Sequence, residues 1–275
     1  MSTAAPGAPP ERAAGTAPVD QAAAGRPATA PPGLTGAPAD AAAGARARPP
    51  GLAATVSALL RKELLVELRT LESVPGMSLF AVTTFVVFHF ALRQNTVAGD
   101  EAAGILWVTL LFAAILGINR LFVADQDQGG FDAFLLAPVD RSALLVAKAL
   151  ALLSYLLVFE LVAVPAFGLL LLGPSLGQAL PSLLAVLALA DIGIALIGTL
   201  VAAMAVRTRA RDLLGPLLAL PLLVPIVIGA ARASAPLFAS THPGSPAARW
   251  LFTLGLYDLV FGLLAYAVFD FLLED

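Results

Sequence analysis

The sequence predicts an all-α polytopic membrane protein, with six transmembrane helices preceded by an interfacial amphipathic helix. Three observations carry that expectation. Of 275 residues, 59% are hydrophobic and only 13% charged, and the mean hydropathy of +0.88 lies far above that of soluble domains. The apolar residues gather into six runs, 74–92, 104–123, 143–172, 181–205, 213–231 and 251–273, each close to the roughly 20 residues that cross a bilayer. Lipid cannot satisfy a free backbone, so these runs must be helices.

Residues 1–50 are dominated by Ala, Pro, Gly and Thr without apolar periodicity, and are expected to form a disordered, solvated tail. They lack the continuous apolar core of a signal peptide, so no cleavage or export of the N-terminus is expected. Residues 51–275 then form one six-span domain. Over 52–72, Leu60, Leu64, Leu68 and Leu71 make a helical stripe with Arg61, Lys62, Glu63, Glu67 and Arg69 around it. That pattern predicts a helix lying in the membrane interface, with leucines in the acyl boundary and Lys62 and Arg69 at lipid headgroups, before Pro75-Gly76 turns the chain into the first span. A solvated helix laced by salt bridges is the alternative.

Between the second and third runs, residues 120–138 read RLFVADQDQGGFDAFLLAP, which no span can absorb. This segment must emerge into water. Behind Gly129-Gly130, the helical spacing of Phe131, Phe134 and Leu135 gives a short helix with one apolar face, suited to docking on a soluble partner. Arg61, Lys62, Arg69, Arg120, Arg141, Lys148, Arg207, Arg209 and Arg211 fall at one end of the spans, against Arg93, Arg232 and Arg249 at the other. The imbalance predicts cytoplasmic N- and C-termini and a cytoplasmic 120–142 loop. The net charge of -3 gives no reason to expect a nucleic-acid partner, and the absence of cysteine removes disulfides and thiolate metal sites.

Within the runs, Pro216, Pro221 and Pro225 predict a kinked fifth span, while Gly193 and Gly198 in the fourth suit close packing or a hinge. Glu160, Asp191 and Asp258 are intramembrane carboxylates, each costing on the order of 2.5–3.5 kcal/mol to insert in ionised form. They read either as a polar seam at a subunit interface or translocation path, or as hydrogen-bonding glue between helices. Lys148 lies about 18 Å from Glu160 along a common helix, too far to pair, and is expected to snorkel to the headgroups, leaving Glu160 to find a partner elsewhere. His89 and His242 read as interfacial residues and not as metal or heme ligands.

The chain has no HExxH, GxSxG, dinucleotide-binding glycine pattern or Walker-type phosphate loop, so any nucleotide-driven work needs a separate ATPase. From about residue 60 onward the sequence resembles the CcmB family of heme exporter B permeases. The likeness runs through RKELLVELR (61–69), FVVFHFAL (85–92), GILWVTLLFAAILGINRLF (104–122), APVDRSALLVAKAL (137–150), TRARDLLGPLLALPLLVP (208–225) and the terminal LLAYAVFDFLLED. The Gly–acidic–Leu-Leu-x-Pro loop alone would indicate only the wider ABC-2 permease superfamily.

The resemblance implies a non-catalytic permease subunit in the bacterial inner membrane, driven by a CcmA-type ATPase. It would work with CcmC- and CcmD-type proteins to supply heme to the CcmE-type periplasmic chaperone in c-type cytochrome biogenesis. It implies no directly bound cofactor, ATP being used by the partner and heme handled by the complex, together with a second copy of the chain and surrounding lipid. Carried over by position, Glu67 and Arg69 lie in the family's entry helix. Arg120, Phe122, Asp125, Gly129, Asp132 and Pro138 lie in the ATPase-coupling loop, over 124–142, with Phe131, Phe134 and Leu135 filling a groove on the ATPase. Acidic residues before the short helix complement its dipole. The long N-terminal tail departs from the family pattern.

Two rival readings are a permease of the same superfamily exporting a lipid, polysaccharide or drug, and an intramembrane enzyme using the three carboxylates as acids. The topology has a direct test. Because the chain has no cysteine, Gln128→Cys provides a unique thiol, expected to react with a membrane-impermeant maleimide only after the cells are opened.

Overall fold

The computed structural model describes residues 51–92, 96–121, 141–173, 176–206, 211–239 and 244–272. All regular elements among them are helical. Helix α1 (Leu52–Thr70) is followed by α2 (Ser73–Ala91), α3 (Gly99–Arg120), α4 (Arg141–Phe167), α5 (Leu176–Val206), α6 (Arg211–Ser234) and α7 (Ala248–Leu272). Six helices, α2 to α7, are long and apolar enough to cross a membrane. The tail over 1–50 lies outside the described residues, as does most of the 124–142 loop.

The turn expected at Pro75-Gly76 lies instead at Leu71–Glu72. Leu71 adopts a left-handed conformation with φ 49° and ψ 44°, and its N–H donates to the Glu67 carbonyl at 2.8 Å, closing α1. Proline is tolerated in a first helical turn, where its missing N–H would have no intrahelical acceptor, so α2 begins at Ser73 with Pro75 inside it. Similarly α5 starts at Leu176, five residues ahead of the run read from Pro181, because that proline sits near the start of a continuous helix. The helical course of α4 ends in a π-turn, Gly168–Leu172, and that of α6 in a 3-10 turn, Ala235–Phe238.

Consecutive spans run in opposite directions, as side-chain and backbone contacts at the two ends record. At one end Val97 N–H donates to the Leu171 carbonyl at 2.9 Å, and Arg232 reaches Asp100 at 3.2 Å. At the other, Arg120 pairs with Glu72 at 3.0 Å. His89 lies at the first end, its Nδ1 2.6 Å from the Leu170 carbonyl, so the ring secures α2 to the π-turn where regular helical bonding is interrupted. An aromatic column packs beside it, with Phe85 5.5 Å from Phe167 and Phe167 5.7 Å from Phe238 between ring centres. Trp107, fully buried in α3, donates from Nε1 to Ser234 Oγ at 2.9 Å.

Helix α5 is the central packing element, touching α3, α4, α6 and α7. Its glycines make that possible. A Cβ on Gly198 would stand 2.7 Å from Ile118 of α3 and 2.9 Å from Leu152 of α4, and one on Gly193 would collide with Asp258 of α7 and crowd Ile226 of α6. The helix runs unbroken through both positions, which fits close packing and not a hinge. Gly198→Val is therefore expected to destabilise the detergent-solubilised protein by about 1–3 kcal/mol through overpacking. A lowered thermal midpoint measures the effect, and an unchanged one would mean that Ile118 and Leu152 yield without cost.

Candidate functional site

Two polar centres interrupt the apolar interior. The first lies where α1 crosses the beginning of α4. Val56 and Leu59 of α1 pack on Ala143, Ala147 and Leu150, and one turn further Glu63 points into the same contact. Lys148, 1% exposed, meets it there: Nζ donates to Glu63 Oε2 at 2.9 Å and to the Leu121 carbonyl at 2.9 Å. The side chain does not snorkel as expected. A buried ammonium requires both a counter-charge and acceptors, and α1 supplies the charge closer than any headgroup. Tyr155 Oη, two turns along α4, reaches the Glu63 carbonyl at 3.4 Å, and Lys62 Nζ lies 3.5 Å from Glu63 Oε1.

Glu67, one turn after Glu63, has a separate task. Its Oε1 accepts from the N–H groups of Ser73 and Val74, both at 2.9 Å, and so caps α2 from outside that helix. A carboxylate there meets two otherwise unsatisfied donors and the positive end of the helix dipole. Arg69 is exposed. The stripe expected to sink into lipid is divided: Leu60 and Leu64 pack on the protein core, whereas Leu68 and Leu71 are exposed. A face-by-face reading of α1 missed Glu63. The signal was the uncompensated Lys148 within an apolar run, which called for an acid on another element.

The second centre lies midway along the spans. Glu160 of α4 and Asp191 of α5 are neighbours close enough to interact, and both are buried. Asp258 of α7 lies against Gly193, on another side of α5, with neither carboxylate oxygen finding a hydrogen-bond partner among the described residues. Asp191 Oδ2 is likewise unpartnered. The structure thus joins two of the three predicted carboxyls and holds the third apart. Next to Glu160 a cleft of about 440 Å³ opens between α4 and α5, walled by apolar residues such as Leu157, Leu161 and Leu180.

Of the residues expected in the coupling loop, Arg120 is in place at the end of α3, bonded to Glu72. Phe122, Asp125, Gly129, Phe131, Asp132, Phe134, Leu135 and Pro138 lie outside the described residues. The two midplane environments predict opposite mutational outcomes. Asp258→Ala removes a buried group with no partner and is expected to raise the thermal midpoint in detergent by a few degrees, since such a group costs about 1–3 kcal/mol. Asp191→Ala strands the Glu160 carboxyl and should lower it. A fall in both would show that Asp258 is held by a stabilising contact.

The chain matches the model of the family described as CcmB protein over residues 54–269, which takes in all six spans. It is similar to heme exporter protein B of Bradyrhizobium diazoefficiens, 31% identical over 215 residues that cover 77% of this chain and 95% of that protein. Against heme exporter protein B of Paracoccus denitrificans the identity is 39% over 155 residues, 55% of this chain and 68% of the relative. The Rhodobacter capsulatus protein of the same name is 33% identical over 153 residues, 56% and 69%. With a family match spanning the whole helical bundle, the chain belongs to the CcmB family.

Proposed function

We propose that this protein is the permease subunit of an ATP-driven complex that exports or delivers heme for c-type cytochrome biogenesis. The observation that carries the reading is the family match across all six spans, together with relatives named as heme exporters. These relatives do not favour the alternative of a lipid, polysaccharide or drug as cargo. The chain itself is a transport subunit and not an enzyme; the energy comes from a separate ATPase of the CcmA type. CcmC- and CcmD-type membrane proteins, the CcmE-type chaperone and a second copy of the chain complete the assembly, in the bacterial inner membrane with both termini cytoplasmic.

In this mechanism the ATPase docks on the 124–142 loop through Phe131, Phe134 and Leu135, and its closure on ATP displaces the loop. Arg120 at the loop's root meets Glu72 at the α1–α2 junction in an exposed pair. Glu67 fixes the angle between α1 and α2 by capping, so that a push on the interfacial helix reaches the first span. Glu160, Asp191 and Asp258 serve as a polar layer at mid-membrane for the conformational change. The unpartnered oxygens of Asp191 and Asp258 among the described residues support this role, because groups serving only as glue would be expected to pair.

The docking model has a direct check. Replacing both Phe131→Asp and Phe134→Asp is expected to leave the protein inserted at normal level while the ATPase no longer co-purifies. Retained stoichiometric ATPase would place docking elsewhere. Glu160→Gln is expected to insert normally and to reduce c-type cytochrome several-fold at unchanged protein level; undiminished cytochrome would return that carboxyl to a packing role.

A further inference from the structure

Leu121 is the last described residue before the loop, and Arg141 the first after it. Lys148 lies two helical turns beyond Arg141, about 10 Å along α4, and its ammonium holds the Leu121 carbonyl at 2.9 Å. The same nitrogen holds Glu63 of α1 at 2.9 Å. The end of α3, where the loop begins, the helix α1 and the early part of α4 are therefore joined at a single buried cation. From the geometry we infer that Lys148 is the positioning residue through which displacement of the loop moves the bundle, with α1, the end of α3 and the first turns of α4 travelling as one body.

The chemistry fits a clamp that stays shut during the cycle. An ammonium excluded from water loses more on separation from its acceptors than an exposed pair does, since water is not there to replace them. The exposed Arg120–Glu72 pair lies at the same end but is open to solvent on both partners and cannot impose this constraint. Tyr155 extends the contact by a further two turns, and Val56 and Leu59 seal it on the α1 side. The clamp lies at the end of the bundle where the loop begins. Its effect is on how much of each ATPase stroke reaches the spans, so its loss appears as hydrolysis without delivery.

The inference rests on the ATP-driven reading, and the test separates the two. Because the chain lacks cysteine, Glu63→Cys combined with Lys148→Cys places two unique thiols at the clamp and removes both charges together. In the whole complex this variant is expected to bind its ATPase and hydrolyse ATP at the wild-type rate, while c-type cytochrome formed per assembled complex falls about tenfold, the size of a typical coupling term. Joining the two thiols with a short membrane-permeant bismaleimide should restore most of the yield, which a merely stabilising role would not require. Lys148→Arg, which keeps the charge and donors, should retain more yield than Lys148→Met.

Wild-type yield in the uncross-linked variant would overturn the proposal, as would a cross-link that abolishes the remaining yield, since the elements would then have to separate. If the variant fails to assemble, thermal midpoints of Lys148→Arg and Lys148→Met decide: loss of yield that simply follows loss of stability would overturn it, and loss at equal stability would support it. A wild-type preparation that binds no ATPase would instead sink the ATP-driven reading, and the clamp's function with it.

Discussion

Lipid offers the backbone no hydrogen bonds, and several polar side chains among the described residues answer that constraint. Where a helix begins, ends or departs from regular geometry, a nearby group closes the gap. Glu67 covers the first donors of α2, and His89 reaches the carbonyl of Leu170 in the π-turn. On the proline-containing helix α6, Tyr257 of α7 donates to the Leu222 carbonyl at 2.8 Å and ties the two helices together. Irregular backbone survives in the bundle because neighbouring helices complete it.

Charges within the bundle divide into satisfied and unsatisfied groups, and the division follows depth. Near one end, Lys148 is paired and hydrogen-bonded, and Glu63 is drawn with it into the protein. At mid-membrane the Glu160–Asp191 contact satisfies only part of the available oxygens, and Asp258 is left without a partner among the described residues. A bundle that needed only cohesion would gain by replacing such groups with apolar ones of similar size. Satisfied charges fix the relation of α1 to α4, while the unpartnered oxygens among the described residues belong to α5 and α7 at mid-span.

The central helix shows how small residues set this arrangement. At Gly198, α3 and α4 approach α5 closely enough that a single added carbon would collide, and at Gly193 the same is true of α6 and α7. Because both glycines lie on one continuous helix, α5 meets its four neighbours at close range along its length. The carboxyls of Asp191 and Asp258 are then held on different sides of a common rod, and a rotation of α5 would change the surroundings of both.

Six spans, their order and a helix ahead of them were legible in the sequence, because each is a continuous local pattern readable without reference to the rest of the chain. The family was legible too, in blocks such as KELLVELR that keep their spacing. Boundaries near Pro75 and Pro181 were misread, since a proline close to a helix start is compatible with either side of the boundary. The partners of Lys148, Glu63, Glu160 and Asp191 were not legible at all. Whether a charge in an apolar run snorkels to water or binds an acid from a segment 85 residues away depends on which helices are neighbours, and that is fixed only when side chains of the whole bundle pack together.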